Sequence, residues 1–255
     1  MNDPYLLLQR AEVLMNLRRY ADAKKTLAEC LQIVPDFAPA HSMLAQCLYH
    51  ESKNEHREEA LREAELAVSL APEWAYGYYI LAWLESNFGN HRKAIRMIDT
   101  AIERMPENAW FHFQRGGICF ALGKYADARK SFHQCLELDP EHHGALCALS
   151  DTERVTGHHK LAVSYADKAV LLAPENSGGF AVRGLAASAS WAYKEADDLL
   201  REAVRLDPES EYAKTSWKAV RETKRDIRAI LVLAVFIASV MCFALLVNWM
   251  GFFNE

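Results

Sequence analysis

The short motifs that carry most reaction chemistry are missing from this sequence. It has no glycine-rich phosphate loop, no G-x-S-x-G elbow, no H-E-x-x-H and no C-x-x-C pair. Phosphate transfer, acyl transfer through an elbow serine and zinc hydrolysis therefore lack their usual signatures. The ten histidines include two adjacent pairs, His142-His143 and His158-His159. Neighbours on a helix do not share a face, so neither pair makes a metal site. Asp197-Asp198 and Glu58-Glu59 read as solvated helix faces. We expect no enzyme, no metal and no cofactor.

Positive charge is also scarce where a nucleic-acid surface would need it. Net charge is −5, and residues 211–255 hold six basic against four acidic residues, so the acidity lies in residues 1–210. That balance argues against phosphate-backbone binding. Met1 to Leu17 lacks the uninterrupted apolar run of a secretory signal. The six cysteines, Cys30, Cys47, Cys119, Cys135, Cys147 and Cys242, show no disulfide framework, and free, mostly buried thiols in a reducing compartment are expected.

What is present is a period. Prolines stand at Pro35, Pro72, Pro106, Pro140, Pro174 and Pro208, and the last four intervals are each 34 residues. The same step aligns Ala23, Ala60, Ala94, Ala128, Ala162 and Ala196. Four residues on come Leu27, Ala64, Ile98, Phe132, Ala166 and Leu200, and three further on Cys30, Ala67, Ala101, Cys135, Ala169 and Ala203. Steps of four and three place these columns on one face of a second helix, where small members admit a neighbour closely. A first helix carries its own small column: Ala11, Ala45, Ala82, Gly116, Ser150 and Gly184. Gly89, Gly123 and Gly157 suit left-handed helix ends, and each proline follows a second helix it cannot extend. The 37-residue interval after Pro35 is expected to place its excess in the polar stretch Glu51–Arg57.

On these columns the chain resembles the tetratricopeptide repeat family, whose unit is a 34-residue helix–turn–helix. Leu122-Gly-Lys-Tyr-Ala-Asp-Ala-Arg-Lys-Ser-Phe132 and Ala203-Val-Arg-Leu-Asp-Pro208 carry the likeness. The resemblance spans about residues 4–208. It implies an all-α fold: a right-handed α-solenoid of six hairpins over 1–208. The tryptophan usual early in the first helix is replaced by Leu7, His41, Tyr78, His112, Leu146 and Phe180.

Residues 229–253 contain no charge, and a helix of that length spans roughly 37 Å, enough to cross a bilayer. Trp249, Phe252 and Phe253 suit an aromatic belt. Lys214, Lys218, Arg221, Lys224, Arg225 and Arg228 precede the run, which orients the array towards the cytoplasm, and only Asn254 and Glu255 follow it. A tail-anchored, single-span protein is expected, in a bacterial inner membrane or a eukaryotic organelle membrane. Residues 209–228 form a capping, basic helix. Ala213, Trp217 and Val220 would cover the sixth repeat, and Arg221, Arg225 and Arg228 would touch the membrane surface.

In the resembled family, first helices line a concave face that holds a peptide or helix. The matching residues here are Tyr76, Tyr79, Trp83, Trp110, Phe113 and Phe120, with small Gly144 and Gly178 farther along and Gly117 opposite the column of Trp83. Such aromatics are either core or a partner-binding groove. The family's clamp for acidic chaperone tails has Leu8, Glu12, Met43, Tyr76 and Ile80 in its places, which argues against that partner. Three roles fit: a membrane-anchored scaffold that binds a segment of a partner protein, a structural subunit or assembly factor of a membrane complex whose span packs through Ala234, Ala238, Ser239 and Ala244, or an accessory factor for an enzyme.

Overall fold

The 34-residue spacing becomes six helical hairpins. The computed structural model describes residues 3–52 and 55–227, together with Ile230, Leu231 and Ala234. In chain order the hairpins are α1 (Pro4–Asn16) with α2 (Tyr20–Ile33), α3 (Ala38–Glu51) with α4 (Arg57–Leu70), and α5 (Ala75–Asn87) with α6 (His91–Arg104). They continue with α7 (Ala109–Ala121) and α8 (Tyr125–Leu138), α9 (His143–Val155) and α10 (His159–Leu172), and α11 (Ser177–Ala189) and α12 (Tyr193–Leu206). Residues 211–227 form a further helix, α13. Among the described residues there is no strand. The chain divides into two compact units that part between Ala148 and Leu149, inside α9.

Each hairpin closes where a small residue of the first helix meets the second. The second-helix columns Ala23 to Ala196 and Cys30 to Ala203 are fully buried throughout. Across them, sizes are matched. A Cβ added to Gly116 would fall less than 3.0 Å from the Phe132 ring, and one added to Gly184 would lie 2.6 Å from Leu200 Cγ. Where the second-helix partner is only Ala166, Ser150 fills the space and its hydroxyl donates to the Ala162 carbonyl at 2.8 Å. Burying Phe132 contributes roughly 1.5–3 kcal/mol, and it does so in the volume that Gly116 leaves open.

The turns share one backbone device. Gly89, Gly123 and Gly157 sit at φ 85°, 71° and 85°. The N–H after each bonds five residues back, as Lys124 does to the Cys119 carbonyl at 2.9 Å, which satisfies carbonyls left over at the helix end. Arg18 and Trp191 hold the same conformation, at φ 58° and 65°, without glycine's freedom. In the long repeat, α3 is one residue longer than α1 or α5, and five residues instead of three separate it from α4. The extra length is thus shared by helix and turn.

In the column where tryptophan is missing, two histidines tie the helix to the preceding turn. His41 Nε2 donates to the Pro35 carbonyl at 2.8 Å, and His112 Nε2 to that of Pro106 at 2.7 Å. Where Tyr78 takes this position, Arg104 lies over its ring and donates to the Pro72 carbonyl instead.

Within the first unit, successive first helices touch (α1 with α3, α3 with α5, α5 with α7), while among the described residues successive second helices do not. The first helices therefore form the inner side of this stretch of α-solenoid. In the second unit, Ala213 and Val220 of α13 are buried against α12, with Trp217 partly covered beside them. Among the described residues no helix is long and apolar enough to cross a membrane. The expected span, 229–253, lies outside the described residues save for Ile230, Leu231 and Ala234, and Arg228 lies outside them as well.

Candidate protein-binding face

The six aromatics singled out in the sequence all stand on α5 and α7, but they form separate groups. Tyr76 and Tyr79 close over the buried Phe111, with ring centroids 5.3 and 5.2 Å from it. Trp83 belongs to a different cluster, edge-on to Tyr49 at 4.6 Å and tilted against His50 at 5.6 Å. Trp110 packs its edge on Phe113 at 5.8 Å and on His142 at 4.8 Å. Phe120 turns away to Tyr125, 5.4 Å distant.

Exposure separates them further. Tyr76 is 42% and Trp110 57% exposed, whereas Tyr79, Trp83, Phe113 and Phe120 are half-buried. Burial, with Tyr76 beside it, pushes the Tyr79 hydroxyl above its usual pKa. Burial, with Arg18 nearby, lowers that of His50, whose ring stacks on Tyr20 at 4.9 Å. These groups support the face; Tyr76 and Trp110 present it.

A local hydrogen-bond set holds the two exposed rings in place. Asn108 caps α7: its side-chain oxygen accepts from the Trp110 and Phe111 N–H groups at 3.0 and 3.3 Å. Its amide donates to the Tyr76 hydroxyl at 3.2 Å. Asn is a favoured residue at this position, and here the cap also ties one repeat's aromatic to the next. His142 Nδ1 accepts from the Ala145 N–H at 3.1 Å, which fixes the imidazole under Trp110.

The small residues behave differently from one another. A Cβ at Gly117 would meet nothing within 4 Å, so that place is open. At Gly144 the Phe113 ring already occupies the gap, with Cζ 3.2 Å from where a Cβ would stand. The small-walled recess expected there is filled. Tyr5 was not singled out, yet it precedes Tyr76 and Trp110 in the same register and is 66% exposed. The period could have named it; its packing on Phe37, at 5.2 Å, could not be read from spacing.

Of the basic residues expected at a membrane surface, Arg221 lies over the Trp217 ring at 5.3 Å and Arg225 pairs with Asp226 at 3.5 Å. Four of the thiols lie in the core. Cys30, Cys47, Cys119 and Cys135 are buried and free, and burial pushes Cys47 and Cys135 up to about 12.

Stacked helical hairpins of this period define the class of helical-repeat folds. Tetratricopeptide-repeat family models match residues 5–36 and 109–142, which supports that family for the chain. Comparison with curated proteins gives no match. Solved structures share the fold. A chain of the APC/C hetero-tetramer Cut9–Hcn1 is 15% identical with a TM-score of 0.74, the match covering 86% of this chain and 43% of that one. This chain therefore spans less than half the length of that relative. PilW, described as a type IV pilus biogenesis factor, is 19% identical with a TM-score of 0.72, over 84% of this chain and 99% of its own. YrrB, described as a TPR protein with an unusual peptide-binding site, is 19% identical with a TM-score of 0.53, over 75% and 97%. Tetratricopeptide repeats mediate protein–protein interaction and are generally non-enzymatic scaffolds.

Proposed function

We propose that the chain is a membrane-anchored scaffold whose first unit binds an extended or helical segment of a partner protein. The observation that carries this reading is Trp110: a large aromatic, 57% exposed on the inner face, yet held by its helix cap, Phe113 and His142. Rigid, partly exposed Trp and Tyr side chains are the residues that interface hot spots favour. Tyr76, joined to it through Asn108, extends the anchor along the face, with Tyr79 and Phe113 as its floor and Trp83 in a neighbouring cluster. The peptide-binding site named for YrrB supports a peptide ligand here by analogy of fold.

The anchor is the uncharged run 229–253, preceded by the basic residues of α13. The array then stands on the cytoplasmic side, which basic flanks favour. A photo-crosslinking phenylalanine analogue placed at position 110, and separately at Leu171 on the outer end of α10, tests the binding face in the full chain. Position 110 should yield a discrete adduct that position 171 does not. Identical adducts from both positions, or none from 110, would remove the assignment.

A further inference from the structure

Trp191 occupies a backbone position that three other repeats give to glycine. Its φ of 65° matches Gly89, Gly123 and Gly157, and it makes the same turn: Trp191 N–H to the Ser188 carbonyl at 3.0 Å, Ala192 N–H to that of Ala187 at 3.0 Å. A bulky residue in this conformation is strained, and strain of this kind persists where it serves a purpose. The fold gives the indole little in return. It is 74% exposed, with the edge of the Tyr193 ring 6.0 Å away.

The course of α13 says what lies in front of it. Asp207, just past the end of α12, acts on Lys214 of α13, and the Trp217 indole donates to Asp197 near the start of α12, at 2.8 Å. Arg221 and Lys224 also act on Asp197. α13 is thus antiparallel to α12, and its end at residue 227 points past the α11–α12 turn where Trp191 stands. Ten residues separate Trp217 from 227, a rise of about 15 Å, whereas the turn is roughly 6–9 Å from Asp197. Residue 227 therefore stands within about 10 Å of the level of Trp191, and in sequence the uncharged run 229–253 begins two residues later.

The charges agree. Of the carboxylates beside the Trp191 hollow, Glu195 pairs with Arg183 at 2.7 Å, Asp198 with Arg201 at 3.6 Å and Glu202 with Arg205 at 2.6 Å. Among the described residues no carboxylate lies within ion-pair distance of Lys218, Arg221 or Lys224. Exposed Val155 and Leu161 flank the preceding turn at Gly157 and extend this edge.

We propose that the Trp191–Tyr193 turn rests in the interfacial layer of an anionic bilayer, with Lys218, Arg221 and Lys224 over the head groups. This rests on the reading of 229–253 as a span. Tryptophan and tyrosine favour that layer, and basic residues beside it gain from anionic lipid.

The test uses the full chain in phosphatidylcholine vesicles, with and without phosphatidylglycerol, carrying a head-group spin label that quenches nearby tryptophan. Trp191→Phe should lose a quenchable component of the emission, and the loss should be larger with phosphatidylglycerol present. In that background Leu171→Trp, at the outer end of α10, should add emission that the label does not quench. Flotation separates the two claims. If neither protein floats with vesicles, the span reading falls and this inference with it. If both float and Trp191→Phe leaves the quenched fraction unchanged, the inference alone is overturned.

Discussion

Phe132 fills the space that a side chain at Gly116 would occupy, and the two residues are 16 positions apart on the paired helices α7 and α8. The same interval joins Gly184 to Leu200, and Ala11 and Ala82 stand in the same columns before Leu27 and Ile98. Gly116→Ala should therefore cost about 1–3 kcal/mol, because the ring it meets is itself fully buried. Phe132→Leu in the same chain should recover part of that loss. Urea unfolding of the two single variants and the double variant checks this as a cycle, and additive costs would contradict the shared volume.

Much of this was already in the sequence. The alanine columns, the turn glycines and the six hairpins follow from the period, because every repeat faces the same packing problem. What the period does not carry is how neighbouring columns meet. Gly144 reads as a recess, yet Phe113 from the preceding first helix lies in it. Trp83 and Trp110 read as one groove, yet Tyr49 with His50 draws one into its cluster and His142 with Phe113 the other. Those partners depend on the rotation between repeats, which spacing alone does not encode.

Trp191 offers a test in the opposite direction. Replacing it with glycine removes the steric cost of the left-handed conformation, of order 1–2 kcal/mol, and gives back part of that as unfolded-chain entropy. Trp191→Gly should raise stability by about 0.5–1 kcal/mol, seen as a higher melting temperature. A lower melting temperature would show that the indole is needed by the fold.

The docking of α13 should depend on acid. The hydrogen bond from the Trp217 indole holds the Asp197 carboxyl below its ordinary value; partial burial opposes this, and Lys224, Arg201 and Arg221 add to the lowering. A depressed folded-state value means the contribution is complete above the unfolded value near 3.8 and is lost as pH falls through the folded one. Asp197→Asn should remove this acid-sensitive component. The difference in stability between the two proteins, followed from neutral pH downwards, should shrink only below about pH 4.

The groove is tested most directly by affinity. Once crosslinking from position 110 has identified the captured segment, that segment is titrated into wild-type protein and into Trp110→Ala, which removes an exposed side chain and leaves the buried aromatics in place. Loss of at least 2 kcal/mol, roughly a 30-fold weaker Kd, is the predicted result for a hot-spot anchor. An unchanged Kd in a folded variant would contradict protein binding at this face.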